Sequence, residues 1–115
     1  MKPRIQFRLR ITTGDDIAVG PGKIDLLEAI ATTGSITAAA RALGMSYRRA
    51  WLLVDTMNRC FTSAVVEAEV GGKRGGGTRL TPVGVEAVRR YRRIEAGAAK
   101  AGKADLAALA RMLRR

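Results

Sequence analysis

Histidine is absent from this 115-residue chain, and cysteine occurs once, at Cys60. A His/Cys metal cluster therefore has no ligand set, a cysteine-histidine nucleophile has no base, and an internal disulfide is impossible. Cys60 reads as a small apolar residue near a helix end. Carboxylates are scarce too, 10 Asp and Glu against 21 Lys and Arg. They are dispersed, with no spacing that would pair two as acid and base, so no enzyme is expected. No apolar run approaches the roughly 18 residues that a membrane span needs, and no segment has the order of a secretory signal. A cytoplasmic protein is expected. The basic stretch AGKADLAALARMLRR at the C-terminus has no large aromatic anchor, which argues against a membrane-surface helix.

What the chain does have is positive charge. The net charge is +11 at pH 7 and the pI is near 11.2, values typical of nucleic-acid binders. Residues 1–34 carry 5 basic and 4 acidic groups, 35–81 carry 7 and 3, and 82–115 carry 9 and 3, so the excess begins after residue 34. The length fits one domain with a modest core, or a domain plus a tail.

The excess begins with SITAAARALGMSYRRAWLLVDTMN, residues 35–58, which reads as two short helices hinged at a glycine. Ser35 can cap the first helix and Ser46 the second, and Gly44 tolerates the positive φ of a tight turn. Ala39 and Ala40 allow the helices to cross closely, with Leu43, Met45, Ala50 and Leu53 as apolar filling. A pair of this kind is a helix-turn-helix, whose second helix enters the DNA major groove.

Around it, Ile5, Phe7, Leu9 and Ile11 alternate with polar residues and predict a half-buried strand over 4–12, with a short return strand at Ile17 and Val19 ending at Gly20-Pro21-Gly22. Ile24, Leu27, Ile30 and Ala31 predict a helix over 23–32, stopped by Gly34. VVEAEV at 65–70 and residues 78–80 predict a hairpin across GGKRGGG, the shape of a wing, with Lys73 and Arg74 at its tip suited to phosphate or the minor groove. The tip lacks the Gly-Lys-Ser/Thr ending of a nucleotide phosphate loop and precedes a strand and not a helix, which argues against that reading. Thr81 and Pro82 start a last helix, expected to reach about residue 96, with Val85 and Val88 on its inner stripe. Gly97 and Gly102 weaken it before Leu106, Leu109, Ala110 and Leu113 resume an apolar stripe suited to dimerisation.

The fold class expected is therefore mainly α with small β: a winged helix-turn-helix over 1–96, with an N-terminal β-hairpin, and a C-terminal helical tail over 97–115 for dimerisation. Only the amino end of a recognition helix normally reaches base edges, so Ser46, Tyr47, Arg48, Arg49 and Trp51 are the candidate DNA contacts, with Leu52 beside them. Arg can bond two guanine acceptors at once. Asp55 would repel phosphate and marks where the helix leaves the duplex. No cofactor is expected. An architectural protein that coats DNA without sequence preference fits the charge equally well.

These motifs carry a resemblance. GSITAAARALGMSYRRAW, Met57-Asn58, GGKRGGG and LTPVG at 80–84, in this spacing, resemble the N-terminal DNA-binding domain of the ModE-type molybdate-responsive bacterial transcription regulators, and more distantly the helix-turn-helix of LysR-type regulators. The resemblance covers about residues 4–96. It implies a homodimer on a partly palindromic operator, with the recognition role on Ser46, Tyr47, Arg48, Arg49 and Trp51 and the wing role on Lys73 and Arg74. Full-length regulators of this type continue into a tandem oxyanion-binding domain with an SARN-type motif. Residues 97–115 contain no counterpart, so the chain is expected to be either a short, effector-independent member or one that borrows sensing from a partner sensor chain.

Overall fold

The computed structural model describes residues 2–69 and 77–114. Two short strands, β1 (Ile11–Thr13) and β2 (Asp16–Val19), form an antiparallel hairpin turned at Gly14, whose φ is +60°. The strand expected over 4–12 is confined to its last residues. A strand needs a hydrogen-bonded neighbour, and β2 offers pairing only to Ile11, Thr12 and Thr13. Residues 2–10 form no regular element; Phe7 and Leu9 are half-buried, whereas Ile5 and Ile11 are exposed.

Helix α1 (Pro21–Thr33) begins two residues before the predicted start, because Pro21 occupies its first turn, where its missing N–H costs nothing. It ends on Gly34 at φ +75°, whose N–H closes onto the Ile30 carbonyl at 2.8 Å. Its buried residues are Ile24, Leu26, Leu27 and Ile30. Leu26 takes the core place expected of Ala31, which is exposed. The adjacent pair Leu26 and Leu27 is buried because α1 is covered from more than one side.

Helices α2 (Ile36–Ala42) and α3 (Tyr47–Cys60) cross through Ala39, Ala40 and Ala50, each no more than 2% exposed. With Val54, Met57, Val65, Val66 and Tyr91, these residues complete a single core around α1. Leu43, expected as filling in the crossing, is instead 37% exposed, while Met45 and Leu53 pack against the core.

Strands β3 (Val66–Glu69) and β4 (Gly77–Leu80) pair antiparallel from Val66↔Leu80 to Glu69↔Gly77. An Arg79–Glu67 ion pair at 2.9 Å ties them across the ladder. The Thr78 N–H donates to the Gly34 carbonyl at 2.9 Å, joining β4 to the α1–α2 corner.

The hairpin root is locked by side chains from both flanking helices. Asn58 Oδ1 accepts from the N–H groups of Val65 (2.8 Å) and Val66 (3.3 Å), while its Nδ2 donates to the Val66 carbonyl (3.1 Å). Asn58→Ala should cost about 1–3 kcal/mol, because it removes the partner of part-buried backbone groups of Val65 and Val66. Urea unfolding checks this; an unchanged midpoint would mean that those groups find other partners.

Helix α4 (Pro82–Ala101) is capped by Thr81, whose Oγ1 accepts from the Gly84 N–H at 3.1 Å and donates to the Ala64 carbonyl at 2.6 Å. The helix passes through Gly97 and does not stop near residue 96. One glycine costs about 1 kcal/mol relative to alanine, and the neighbouring alanines outweigh it. Its inner face carries Gly84, Val88 and Tyr91, whereas Val85, expected on that stripe, is 54% exposed. Arg92 reaches Asp25 (2.9 Å), Glu28 and Glu95 (2.7 Å), joining α4 to α1, and the Tyr91 hydroxyl donates to the Leu9 carbonyl at 2.9 Å. Helix α5 (Lys103–Arg111) buries none of its residues fully. The radius of gyration, 16.8 Å, exceeds the about 13 Å of a compact chain of this length, in keeping with extents of 55 × 30 × 24 Å.

Candidate nucleic-acid interface

Local sterics set the pose of α3. Gly44 adopts φ +68°, and a Cβ there would meet nothing within 4 Å, so the requirement is conformational and not spatial. It lets the Met45 N–H return to the Ala40 carbonyl (3.0 Å) and its own N–H to that of Arg41 (3.2 Å), closing α2 as a Schellman motif. Both serines cap as expected. Ser35 Oγ accepts from the Ala38 N–H at 2.8 Å and Ser46 Oγ from the Arg49 N–H at 3.1 Å.

On α3, Ala50, Val54 and Met57 face the core. The side chains that begin the helix point away from it: Tyr47 is 54% exposed, Trp51 48% and Leu52 47%, and Arg48 and Arg49 are exposed as well. Two large aromatic residues and a leucine thus stand in solvent within two turns of a capped helix, where apolar side chains of this size could meet a partner. The helix dipole adds positive potential at this end.

Ion pairing divides the cations. Arg59, further along α3, binds Asp55 at 3.1 Å and Asp16 at 3.5 Å, and its guanidinium pKa is raised, chiefly by the hydrogen bond to Asp55. Arg79, Arg89, Arg90 and Arg92 are likewise paired. Among the described residues, Arg48 and Arg49 meet no carboxylate within 4.0 Å. The far half of α3 is thus self-neutralised, while its amino end keeps its charge.

The structure therefore gathers Ser46, Tyr47, Arg48, Arg49 and Trp51 on one helix end. The wing residues Lys73 and Arg74 lie outside the described residues, although the strands that carry them, β3 and β4, are in place. Sequence reasoning missed Asn58 as the bolt between α3 and the wing root. The available signal was an asparagine in the last turns of a helix, a poor helix former unless its side chain is occupied. No helix among the described residues is long and apolar enough to cross a membrane.

Comparison with known proteins agrees with this geometry. MopB of Rhodobacter capsulatus, a molybdenum-pterin-binding protein, is 50% identical over 82 residues, 71% of this chain and 30% of MopB. The DNA-binding transcriptional dual regulator ModE of Escherichia coli (strain K12) is 41% identical over 71 residues, 62% of this chain and 27% of that protein. The chain thus spans less than a third of the length of these relatives. The fold is similar to that of the CbnR DNA-binding domain in its DNA complex, with a TM-score of 0.57 and 24% identity over 76% of this chain and 95% of that one. Both the winged helix-turn-helix architecture and the resemblance to the N-terminal part of ModE-type proteins are borne out. Residues 22–85, more than half of the sequence, match the model of the bacterial regulatory helix-turn-helix proteins of the lysR family, and the chain belongs to that family.

Proposed function

We propose that this chain is a sequence-specific, DNA-binding transcription regulator of the ModE type that acts as a homodimer in the cytoplasm, by occupying an operator and not by chemistry. The observation that carries the reading is the amino end of α3, where Arg48 and Arg49 meet no carboxylate within 4.0 Å among the described residues and Tyr47 and Trp51 are held in solvent. Ser46, Tyr47, Arg48, Arg49 and Trp51 contact base edges and the adjoining phosphates, and Lys73 and Arg74 hold the flanking backbone. Residues 1–96 supply the DNA grip, and the tail over 97–115 extends the helix that joins the two copies.

An apolar groove supports the dimer. Ile5, Phe7, Ala96, Ala99, Leu106 and Ala110 line it, and Leu109, Met112 and Leu113 next to it are at least 60% exposed. A second copy would cover this surface and set the two α3 helices about one helical turn, roughly 34 Å, apart. Selection from a random duplex library should return a partly palindromic motif with that half-site spacing. In sedimentation, Leu109→Asp should shift the dimer toward monomer and weaken binding to the selected site. A wild-type chain that stays monomeric at tens of micromolar, or a selected motif without symmetry, would overturn the dimer. Residues 1–115 do not themselves bind molybdate in this reading, and any such signal reaches them from a sensor such as a partner chain; isothermal titration of these residues with molybdate should give no heat, and micromolar binding would contradict it.

A further inference from the structure

We infer that Arg10 and Lys23, on the flank of the recognition helix opposite the wing, form with Arg49 a second phosphate clamp, so that the DNA backbone is held on both sides of α3. The inference rests on the DNA-binding reading and extends it to the N-terminal hairpin.

Helical periodicity sets the two flanks. Arg49 and Asn58 are nine residues apart, which at about 100° per residue places them on opposite flanks of α3. Asn58 bonds the root of the β3–β4 wing. The Arg49 flank, which Cys60 shares eleven residues later, therefore faces the other way. There β2 packs along α3, fixed by the Asp16–Arg59 pair at 3.5 Å. Gly20 follows β2 and caps α1, so Lys23 stands in the first turn of α1 beside α3. Arg10, just before β1, passes over Gly20, its Cγ 3.6 Å from where a Cβ would stand on that residue.

The electrostatics agree. Partial burial lowers the Lys23 ammonium pKa first; Cys60 and Asp16 act to raise it, and the neighbouring Arg49 and Arg10 lower it further. Asp16 is itself engaged with Arg59. Among the described residues, neither Arg10, Lys23 nor Arg49 has a carboxylate within 4.0 Å. Three like charges set around one helix flank repel one another until a polyanion relieves them. A phosphate backbone running beside a major groove occupied by α3 presents anions at that position.

The test measures DNA binding against salt for the full chain, using the library-selected duplex and a random duplex. Removing one cation that neutralises a phosphate should flatten the log–log salt slope by about 0.9. Arg10→Gln/Lys23→Gln should therefore flatten it by about 2 on both duplexes and weaken both alike, leaving base preference intact. Arg93→Gln on α4 is the control and should leave the slope unchanged. Ethylation interference with the wild-type protein provides a readout that needs no variant. It should show blocked phosphates on both edges of each half-site, and those opposite the wing should lose their effect with Lys23→Gln. A wild-type chain that binds while the double variant keeps its slope, or interference on the wing edge alone, overturns the clamp and leaves the regulator standing. Failure of the wild type to bind either duplex overturns both.

Discussion

Arg48→Ala should weaken binding to the selected duplex by about 1–3 kcal/mol, roughly five- to 150-fold, and relax preference at the base pair that Arg48 reads. Position and pairing both set this effect. Arg48 stands opposite Ala50 and Val54 on the first turn of α3, exposed and without a carboxylate partner among the described residues. It arrives at the duplex with its donors uncommitted. Arg59 is the useful contrast: it lies on the same outer face, but its guanidinium already serves Asp55 and Asp16. Arg59→Ala should therefore change affinity far less. Fluorescence-anisotropy titrations of both variants at one salt concentration check this. Equal losses for the two would mean that charge alone, and not the helix end, governs binding.

The largest effect on stability is expected at Gly84. A Cβ there would fall 2.1 Å from the Val65 carbonyl oxygen and 3.3 Å from the Leu80 side chain. Both neighbours are constrained. The Val65 carbonyl accepts from the Thr81 N–H at 3.0 Å, and its N–H is held by Asn58. Gly84→Ala must push α4 away from the wing root, and overpacking of this kind costs about 3 kcal/mol or more. For a domain of this size that is a fall in Tm of more than about 10 °C. DNA affinity should drop as well, since the wing root shifts with α4. Calorimetry settles the point: a Tm within about 2 °C of wild type would show that the junction yields without strain. The glycine is helical and needs no positive φ, so the requirement is close approach of backbone to backbone.

What could be read from the sequence follows from where the information lies. The helix-turn-helix is encoded locally: a cap at Ser35, a left-handed Gly44, a cap at Ser46, and alanines at the crossing each act within a few residues. The same holds for Thr81-Pro82 and for the β3–β4 pairing. The strand expected over 4–12 failed for the opposite reason, because alternation records which side chains could face a core but not whether a neighbouring strand exists. Helix α4 ran on through Gly97 because a single unfavourable residue is outweighed by its surroundings. Leu26 escaped notice because a helix packed from more than one side buries residues that a single stripe would expose.

The candidate site divides in the same way. Its position at the start of α3 was legible, whereas the state of its charges was not. Arg59 differs from Arg48 and Arg49 in having Asp55 four residues before it, a local helical partner, but only the fold brings Asp16 to it as well. Asp55, expected to mark the end of the reading surface, is engaged with Arg59. Asn58 was legible only as part of a motif. Its bonds to Val65 and Val66 join residues seven and eight positions apart, across the turn that leaves α3.

The central claim is that the amino end of α3 reads sequence. It is tested most directly by competing the library-selected duplex against random duplex of the same length at near-physiological salt. A regulator of this kind should prefer its site by about a thousandfold or more, and that preference should shrink with Arg48→Ala. Equal binding to both duplexes, unchanged by Arg48→Ala, would contradict the account and leave a basic protein that coats DNA through its charge alone.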